Sequence, residues 1–151
     1  PHLASSAASD VYKRQLQEAM NEGYDEALLL DDEENISEGS GENFFIVKNK
    51  ILFTPDLDAS LDGITRKSII SLAEELNIKV EIKKIKLQDV LVADELFFTG
   101  TAAEVVPIRS VDKKLISNGE RGEITTILQK NYFDQVRGKR NSFSEWLYSI
   151  D

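Results

Sequence analysis

The sequence predicts an α/β domain built on a mixed, barrel-like sheet with helices on its outside. Short apolar runs of strand length alternate irregularly with two longer segments of helical period, and one pair of runs forms a hairpin. A chain of 151 residues is about one domain long. Folding at that size buries roughly two-thirds of the unfolded surface, enough for one substantial core.

The composition favours small-molecule or protein partners. Hydrophobic residues make up 41% and charged residues 30% of the chain, as in ordinary soluble domains, and no apolar run approaches the roughly 18 residues of a membrane span. The net charge of −9 repels phosphate backbones and argues against nucleic acid. The absence of cysteine excludes disulfides and thiolate chemistry and fits a reducing cytoplasm. Because His2 is the single histidine, we expect no metal site.

The first fifteen residues differ in composition from the rest of the chain. They are mostly small and polar, and they lack the basic start and apolar core of a signal peptide. They resemble translated adaptor or junction sequence, although a disordered native terminus is the alternative. We therefore expect residues 1–15 to be a foreign-looking or disordered leader and residues 16–151 to form the domain.

Apolar spacing predicts the elements in chain order. Residues 10–22 are expected to form a helix that ends at Gly23, and residues 26–30 a buried strand. Residues 44–47 and 51–54 are strands joined by a turn at Asn49 and Lys50, because asparagine tolerates a positive φ. The remaining predicted elements are a loop at 57–63, a helix at 65–77, a strand at 79–85, a helical turn at 87–92, a strand at 95–99, a small-residue turn at 100–103, a strand at 105–111, a helix at 123–136 and an aromatic tail at 143–150.

Residues 37–43 form the first turn that carries chemistry. Two glycines at alternate positions allow close backbone approach to a bound group, and Glu38 and Glu42 add carboxylates. A carboxylate fixed in such a turn keeps a heteroaromatic nitrogen protonated, so Glu38 is the candidate. Acidic turns are also common, and two solvated loop charges explain the pattern equally well.

Residues 63–66 form the second turn, at the start of the helix predicted from Thr65. Free amides, the positive end of the helix dipole and the Thr65 hydroxyl together make an anion cradle. The alternative is that Thr65 only caps the helix and Gly63 only serves the turn.

Residues 99–104 form the third turn, where small side chains leave room for a ligand and the amides are free to meet an anion. A close-packed bend between strands is the alternative. Each turn taken alone is weak evidence for a ligand site. The three together fit one phosphorylated heteroaromatic ligand better than three coincidences.

Six spaced motifs in consistent order resemble a known family. The motifs are EALLLD at 26–31, SEGSGENFF at 37–45, LFTP at 52–55, GITR at 63–66, ADELFFTGTAAE at 93–104 and PIRSVD at 107–112. Together they resemble the C-terminal domain of branched-chain amino acid aminotransferases, which are fold-type IV pyridoxal phosphate enzymes. The resemblance covers roughly residues 16–150 and implies that the N-terminal domain of the family is not included.

The resemblance assigns roles to particular residues. Glu38 is implied to pair with the pyridine nitrogen of pyridoxal 5′-phosphate, so that the ring acts as an electron sink. Ile64, Thr65 and Thr101 are implied to hold the phosphate. The amides of Thr101, Ala102 and Ala103 are implied to face the substrate carboxylate. The implied reaction passes an amino group from L-leucine, L-isoleucine or L-valine to 2-oxoglutarate, in a cytoplasmic homo-oligomer.

The chain also departs from the family pattern. The Schiff-base lysine of the family falls at about Ala4, inside the leader, and the surroundings of Lys13 do not match it. The resemblance therefore offers no catalytic lysine here, and we expect the chain alone to be inactive. Glu34 and Asn35 replace a common Gly-Tyr pair. Asp62 replaces a proline and puts a negative charge beside the expected phosphate cradle.

Other functions remain open at this point. Within the same fold type, a D-amino acid aminotransferase or an aminodeoxychorismate lyase is a close rival. The turn at residues 100–104, followed by the segment at 109–112, favours the branched-chain type. A non-catalytic acidic module that keeps the fold is an alternative from another class.

Overall fold

The structure, a computed structural model, describes residues 14, 17–58 and 60–147, and its fold within them is α/β. The strands are β1 (Leu28–Leu30), β2 (Asn35–Gly39), β3 (Asn43–Lys48), β4 (Ile51–Thr54), β5 (Val80–Ile82), β6 (Ile85–Lys86), β7 (Glu95–Gly100), β8 (Glu104–Pro107), β9 (Ser110–Val111) and β10 (Lys114–Leu115). The helices are α1 (Ile64–Glu75), α2 (Leu87–Leu91) and α3 (Glu123–Val136), followed by a 3₁₀ turn at Ser144–Trp146.

The main sheet is mixed, as predicted. Its five strands run in the order β5-β4-β3-β7-β8, and β4 pairs with β5 in parallel while the other neighbours are antiparallel. A three-stranded sheet, β1-β2-β6, and a two-stranded sheet, β10-β9, complete the sheets of the described residues. The predicted α/β class is confirmed, although the strands divide among these sheets.

Strand β3 carries the core on both of its faces, because successive side chains of a strand point to opposite sides. Phe45 stacks on Phe97 of β7 with ring centroids 4.9 Å apart, in a cluster with residues of α1 and α3. Phe44 meets Phe98 with centroids 5.8 Å apart, in a second cluster with residues of β2, β6 and α2. The main sheet therefore lies between the two long helices and the smaller three-stranded sheet.

Several predicted elements have the expected positions. The β3–β4 hairpin turns at Asn49 and Lys50 with φ values of 51° and 62°, as a type I′ turn requires. Helix α3 covers the predicted residues, and α1 begins one residue before Thr65. Of the helix predicted at residues 10–22, residues 17–21 are helical, while Val11 and Leu16 lie outside the described residues.

Other boundaries were wrong. Strand β2 was not predicted, and it turns part of the first functional turn into sheet. The strand predicted at 79–85 is divided into β5 and β6, and the one at 105–111 into β8 and β9. The β9–β10 hairpin, whose turn residues Asp112 and Lys113 both have positive φ, was also missed. Short strands carry too few residues for a clear period-two signal.

Within the described residues, no helix is both long and apolar enough to cross a membrane.

Candidate functional site

The three predicted turns line one cavity of about 170 Å³. Its walls are Glu38, Gly41, Glu42, Asn43, Leu61, Gly63, Ile64, Thr65, Thr99, Gly100 and Thr101. Four of the predicted site residues, Glu38, Ile64, Thr65 and Thr101, are in this set. Ala102 and Ala103 belong to the same turn as Thr101 but are not among the wall residues.

The first turn is a tight β-hairpin. Gly39 at the end of β2 donates its amide to the Glu42 carbonyl at 2.7 Å, and Ser40 and Gly41 form the tip. Gly41 has a φ of 83°, which only glycine adopts without strain. Gly39 has a different role, because a Cβ there would lie 2.7 Å from the Phe98 ring. The close approach that we expected of both glycines is therefore found only at Gly39, where it serves core packing. Gly41 lies in the cavity wall, where a Cβ would meet nothing within 4 Å, so its positive φ explains the glycine.

Glu38 is fixed in β2 and not in a loop. Its residue surface is 7% exposed, and its Oε2 accepts a hydrogen bond of 3.0 Å from the Leu61 amide. Burial raises the pKa of this carboxyl, and the Leu61 hydrogen bond opposes that effect. Among the described residues Glu38 has no cationic partner, so its carboxylate is suited to an incoming N–H donor.

Asn43 was not predicted as a site residue. It opens β3 with 6% of its surface exposed, and its Nδ2 donates to the Leu61 carbonyl at 2.6 Å. A Cβ on Gly63 would lie 2.3 Å from Asn43 Oδ1. Gly63 has a φ of −65°, so the close approach of Asn43, and not a special backbone angle, explains the glycine. The only sequence signal for Asn43 is its place at the end of the first turn, residues 37–43.

Helix α1 begins at the cavity without a side-chain cap among the described residues. Its N-cap is Gly63, so Thr65 is not the capping residue that the alternative interpretation required. Its first amides have no carbonyl partner within the helix, and its first turn carries no acidic side chain. Ile64 is 78% exposed at the cavity, whereas Thr65 is 4% exposed. This helix end is suited to bind an anion.

Helix α3 gives a direct contrast. The carboxylate of Glu95 on β7 accepts hydrogen bonds from the amides of Ile124 and Thr125 at 3.0 and 2.7 Å, and from the Thr125 hydroxyl at 2.7 Å. A protein carboxylate therefore occupies the positive end of α3, while the corresponding end of α1 faces the cavity.

Asp62 does not line the cavity. It forms ion pairs with Lys67 at 2.8 Å and with Arg66 at 3.6 Å. The buried Arg66 also donates to the Pro55 carbonyl at 3.1 Å, and burial lowers its pKa, with Asp62 opposing the effect. The negative charge expected beside the cradle is thus offset by two cations.

The third turn contributes a buried hydroxyl that was not singled out. Thr99 is 0% exposed and lines the cavity, yet its Oγ1 has no hydrogen-bond partner among the described residues. An unsatisfied buried hydroxyl costs about 1–3 kcal/mol, so a ligand that pairs with it recovers that energy. Thr101 and Ala102 are exposed, and Ala103 is partly exposed.

Glu42 lies in the cavity wall, although only Glu38 was singled out from the sequence as a candidate. Burial raises its pKa, and the nearby Glu26 raises it further. Within the described part of the chain, no group of three acidic or histidine side chains is placed to hold a metal ion. The cavity thus combines the buried Glu38 carboxyl, the partly buried Glu42 carboxyl, a hydroxyl and an open helix end.

Comparison with known proteins identifies the family. The model of amino-transferase class IV matches residues 5–111, which is most of the chain. The chain belongs to the class IV aminotransferases. The family predicted from the six motifs is therefore confirmed.

Relatives of this class IV chain include branched-chain-amino-acid aminotransferases. The Pseudomonas aeruginosa protein of that name is 53% identical over 131 residues, covering 87% of this chain and 43% of its own length. The Escherichia coli (strain K12) protein is 42% identical over 135 residues, covering 89% of this chain and 44% of its own. This chain thus spans less than half the length of these curated relatives.

Solved structures agree with the sequence comparisons. The branched-chain amino acid aminotransferase of Thermobaculum terrenum, in its PLP-bound holo form, superposes on this chain with a TM-score of 0.90 at 36% identity. The matched region includes 94% of this chain and 47% of the Thermobaculum chain. The Escherichia coli enzyme superposes with a TM-score of 0.90 at 39% identity, and the matched region includes 95% of this chain and 49% of the Escherichia coli chain. The described fold is therefore that of one part of these enzymes.

Proposed function

We propose that this chain is the C-terminal, cofactor-binding domain of a pyridoxal phosphate-dependent branched-chain amino acid aminotransferase. The observation that carries the proposal is the convergence of Glu38, the open start of α1 and the Thr99–Thr101 turn on one cavity. The names of the relatives support the branched-chain assignment over the other fold-type IV activities. The substrates proposed for the whole enzyme are L-leucine, L-isoleucine or L-valine with 2-oxoglutarate.

Glu38 would hold the pyridine nitrogen of the cofactor. Pyridoxal phosphate, when bound, supplies an electron sink for the carbon that loses a proton. A buried carboxylate without a cationic partner stabilises a proton on the nitrogen it faces, because the N–H donor offsets its desolvation. The Leu61 amide holds Oε2 of Glu38, which leaves Oε1 to accept the ring N–H.

The phosphate would bind at the start of α1. The amides of Ile64 and Thr65 and the Thr65 hydroxyl are the proposed ligands, with Thr101 adding a contact from the third turn. Thr99 Oγ1, which lacks a partner among the described residues, gives the same cavity a further donor. The amides of Thr101, Ala102 and Ala103, in a turn whose residues are exposed or partly exposed, are proposed to meet the substrate carboxylate.

The chain by itself is expected to bind the cofactor without catalysing transamination. The resemblance places the Schiff-base lysine at about Ala4, where this sequence has no lysine. A lysine there is needed to move the proton at the reacting carbon. We propose that the activity belongs to the longer enzyme, within a homo-oligomer.

The test is cofactor binding to the 151-residue chain. Pyridoxal phosphate, pyridoxal and inorganic phosphate are titrated separately, and binding is followed by tryptophan fluorescence quenching and cofactor absorbance. We expect pyridoxal phosphate to bind at least about tenfold more tightly than pyridoxal, since a charge-assisted phosphate contact contributes about 1.5–3 kcal/mol. Inorganic phosphate should compete.

Borohydride treatment of the complex provides the second measurement. We expect no single lysine to be labelled, because the bound cofactor is held by hydrogen bonds and not by a covalent bond. Equal affinity for pyridoxal and pyridoxal phosphate would contradict the proposed phosphate site. Absence of binding by both compounds would contradict the cofactor assignment for this domain.

A further inference from the structure

Asn43 connects the two parts of the cavity that the proposed function uses. It faces Leu61, whose amide binds Glu38, and it faces Gly63, the N-cap of α1. We infer that Asn43 is a positioning residue: it fixes the loop of Leu61 and thereby sets both the orientation of the Glu38 carboxylate and the start of α1. The role in cofactor binding rests on the proposed function, whereas the positioning of Glu38 is measurable without cofactor.

The loop needs such a contact because its own side chain does not anchor it. Leu61 is 71% exposed, so little apolar burial holds it in place. Its carbonyl accepts from Asn43 Nδ2 at 2.6 Å and from the Gly63 amide at 3.0 Å, and its amide donates to Glu38 at 3.0 Å. Hydrogen bonds to the buried residues Asn43 and Glu38 therefore fix the main chain of Leu61.

Asn43 is itself held rigidly. It opens β3, where it pairs in register with Thr99 of β7, and only 6% of its surface is exposed. Its Oδ1 is so close to Gly63 that a larger residue at position 63 would displace the Asn43 side chain or the main chain. Leu61 is therefore tied to a buried position of the main sheet, 18 residues away in the chain.

A loss of this contact has a defined consequence for Glu38. When Leu61 is free to move, its amide no longer stays on Oε2, and the one hydrogen bond that lowers the pKa of Glu38 is weakened. The effect of burial is then opposed less, so the pKa of Glu38 rises further. A residue with a purely structural role would change the stability without moving the titration of Glu38.

The test compares Asn43→Ala with Asn131→Ala in the chain without cofactor. Asn131 is a matched control, because its Nδ2 also donates to a main-chain carbonyl, that of Ile127, at 2.8 Å. Hydrogen exchange of the Leu61 amide and the titration of the Glu38 carboxyl are followed by NMR. Glu42 also titrates in the cavity, so the Glu38 signal is assigned with Glu38→Gln.

We expect Asn43→Ala to accelerate exchange of the Leu61 amide about tenfold and to raise the pKa of Glu38, with no such change in Asn131→Ala. An unchanged exchange rate and titration in folded Asn43→Ala would overturn the inference. Asn43→Asp keeps the shape against Gly63 but loses the donor, and it should also accelerate exchange. If neither variant folds, the wild-type chain decides: a Leu61 amide that exchanges as fast as an unprotected one overturns the inference.

A last measurement separates this inference from the proposed function. Asn43→Ala should bind pyridoxal phosphate about tenfold more weakly than the wild-type chain. If the wild-type chain binds no cofactor, the proposed function fails, yet the exchange and titration results still decide the role of Asn43. If the cofactor binds equally to both chains while Glu38 titrates differently, the function stands and the link from Asn43 to binding is overturned.

Discussion

A Cβ atom on Gly122 would lie 2.0 Å from Cδ of Glu95. The glycine has a φ of −74°, an angle open to any residue, so only the carboxylate requires it. Glu95 comes this close because it accepts three hydrogen bonds from the first turn of α3, from Ile124 and Thr125. One strand of the main sheet thus caps the helix that packs on it.

Gly122→Ala is expected to destabilise the chain by about 2 kcal/mol, because it displaces the Glu95 cap. Urea unfolding measures the free energy. Glu95→Ala is expected to cost a similar amount, and the double variant should cost little more than either single variant, because both remove the same cap. Fully additive losses would mean that Gly122 acts independently of Glu95.

Thr99→Val is expected to raise the free energy of unfolding of the ligand-free chain by about 1 kcal/mol, because it removes an unsatisfied buried hydroxyl. Thr54→Val is the matched control. Thr54 is also 0% exposed, but its Oγ1 donates to the Phe44 carbonyl at 2.9 Å, so its loss should lower stability by about 1 kcal/mol. Equal destabilisation by both variants would show that Thr99 has a partner in the free chain.

Glu38→Gln is expected to raise the Tm at neutral pH. Burial raises the pKa of Glu38 in the folded chain above its ordinary value of 4.5, so the folded state binds the proton more tightly. The contribution to stability is therefore complete below 4.5 and is lost as the pH rises through the raised pKa. Glutamine still accepts from Leu61 but carries no charge to desolvate.

The control for this variant is Glu33→Gln. The hydrogen bond from Lys84 at 2.6 Å lowers the pKa of Glu33, so its contribution has the opposite sign and is present above the ordinary value. Thermal unfolding at several pH values should therefore show a gain in Tm for one variant and a slight loss for the other at neutral pH. A lower Tm for Glu38→Gln at neutral pH would contradict the prediction.

Asp94→Asn is expected to weaken the β3–β4 hairpin by less than about 1 kcal/mol at neutral pH, since the ion pair of Asp94 with Lys48 is exposed. Asp94 accepts from the Asn49 amide at 2.8 Å and from Lys48 at 3.1 Å, and the amide contact is the main cause of its lowered pKa. That contribution is present above the ordinary value of 3.8 and is lost as the pH falls through the lowered pKa. The Tm difference between the two chains should vanish in acid, and a constant difference would exclude the charge as its cause.

Local sequence patterns were enough to predict several elements, the family and part of the cavity wall of this protein. The Asn49-Lys50 turn and the period of residues 123–136 give their elements directly, because both depend on neighbours in the chain. The six motifs likewise indicated the family, and three of them held every residue of the cavity wall except Leu61. Glu38, Ile64, Thr65 and Thr101 were therefore accessible from the sequence alone.

Only the tertiary structure decided how these residues work together. The contact of Asn43 with Leu61 joins residues 18 apart, and that of Leu61 with Glu38 joins residues 23 apart. Such contacts depend on sheet register and on which face each side chain occupies, which short strands do not encode in their periodicity. The glycines at 63 and 122 are explained by distant side chains for the same reason. The sequence thus determined the chemistry of the cavity, and long-range packing determined which groups in it are held, buried or left without a partner.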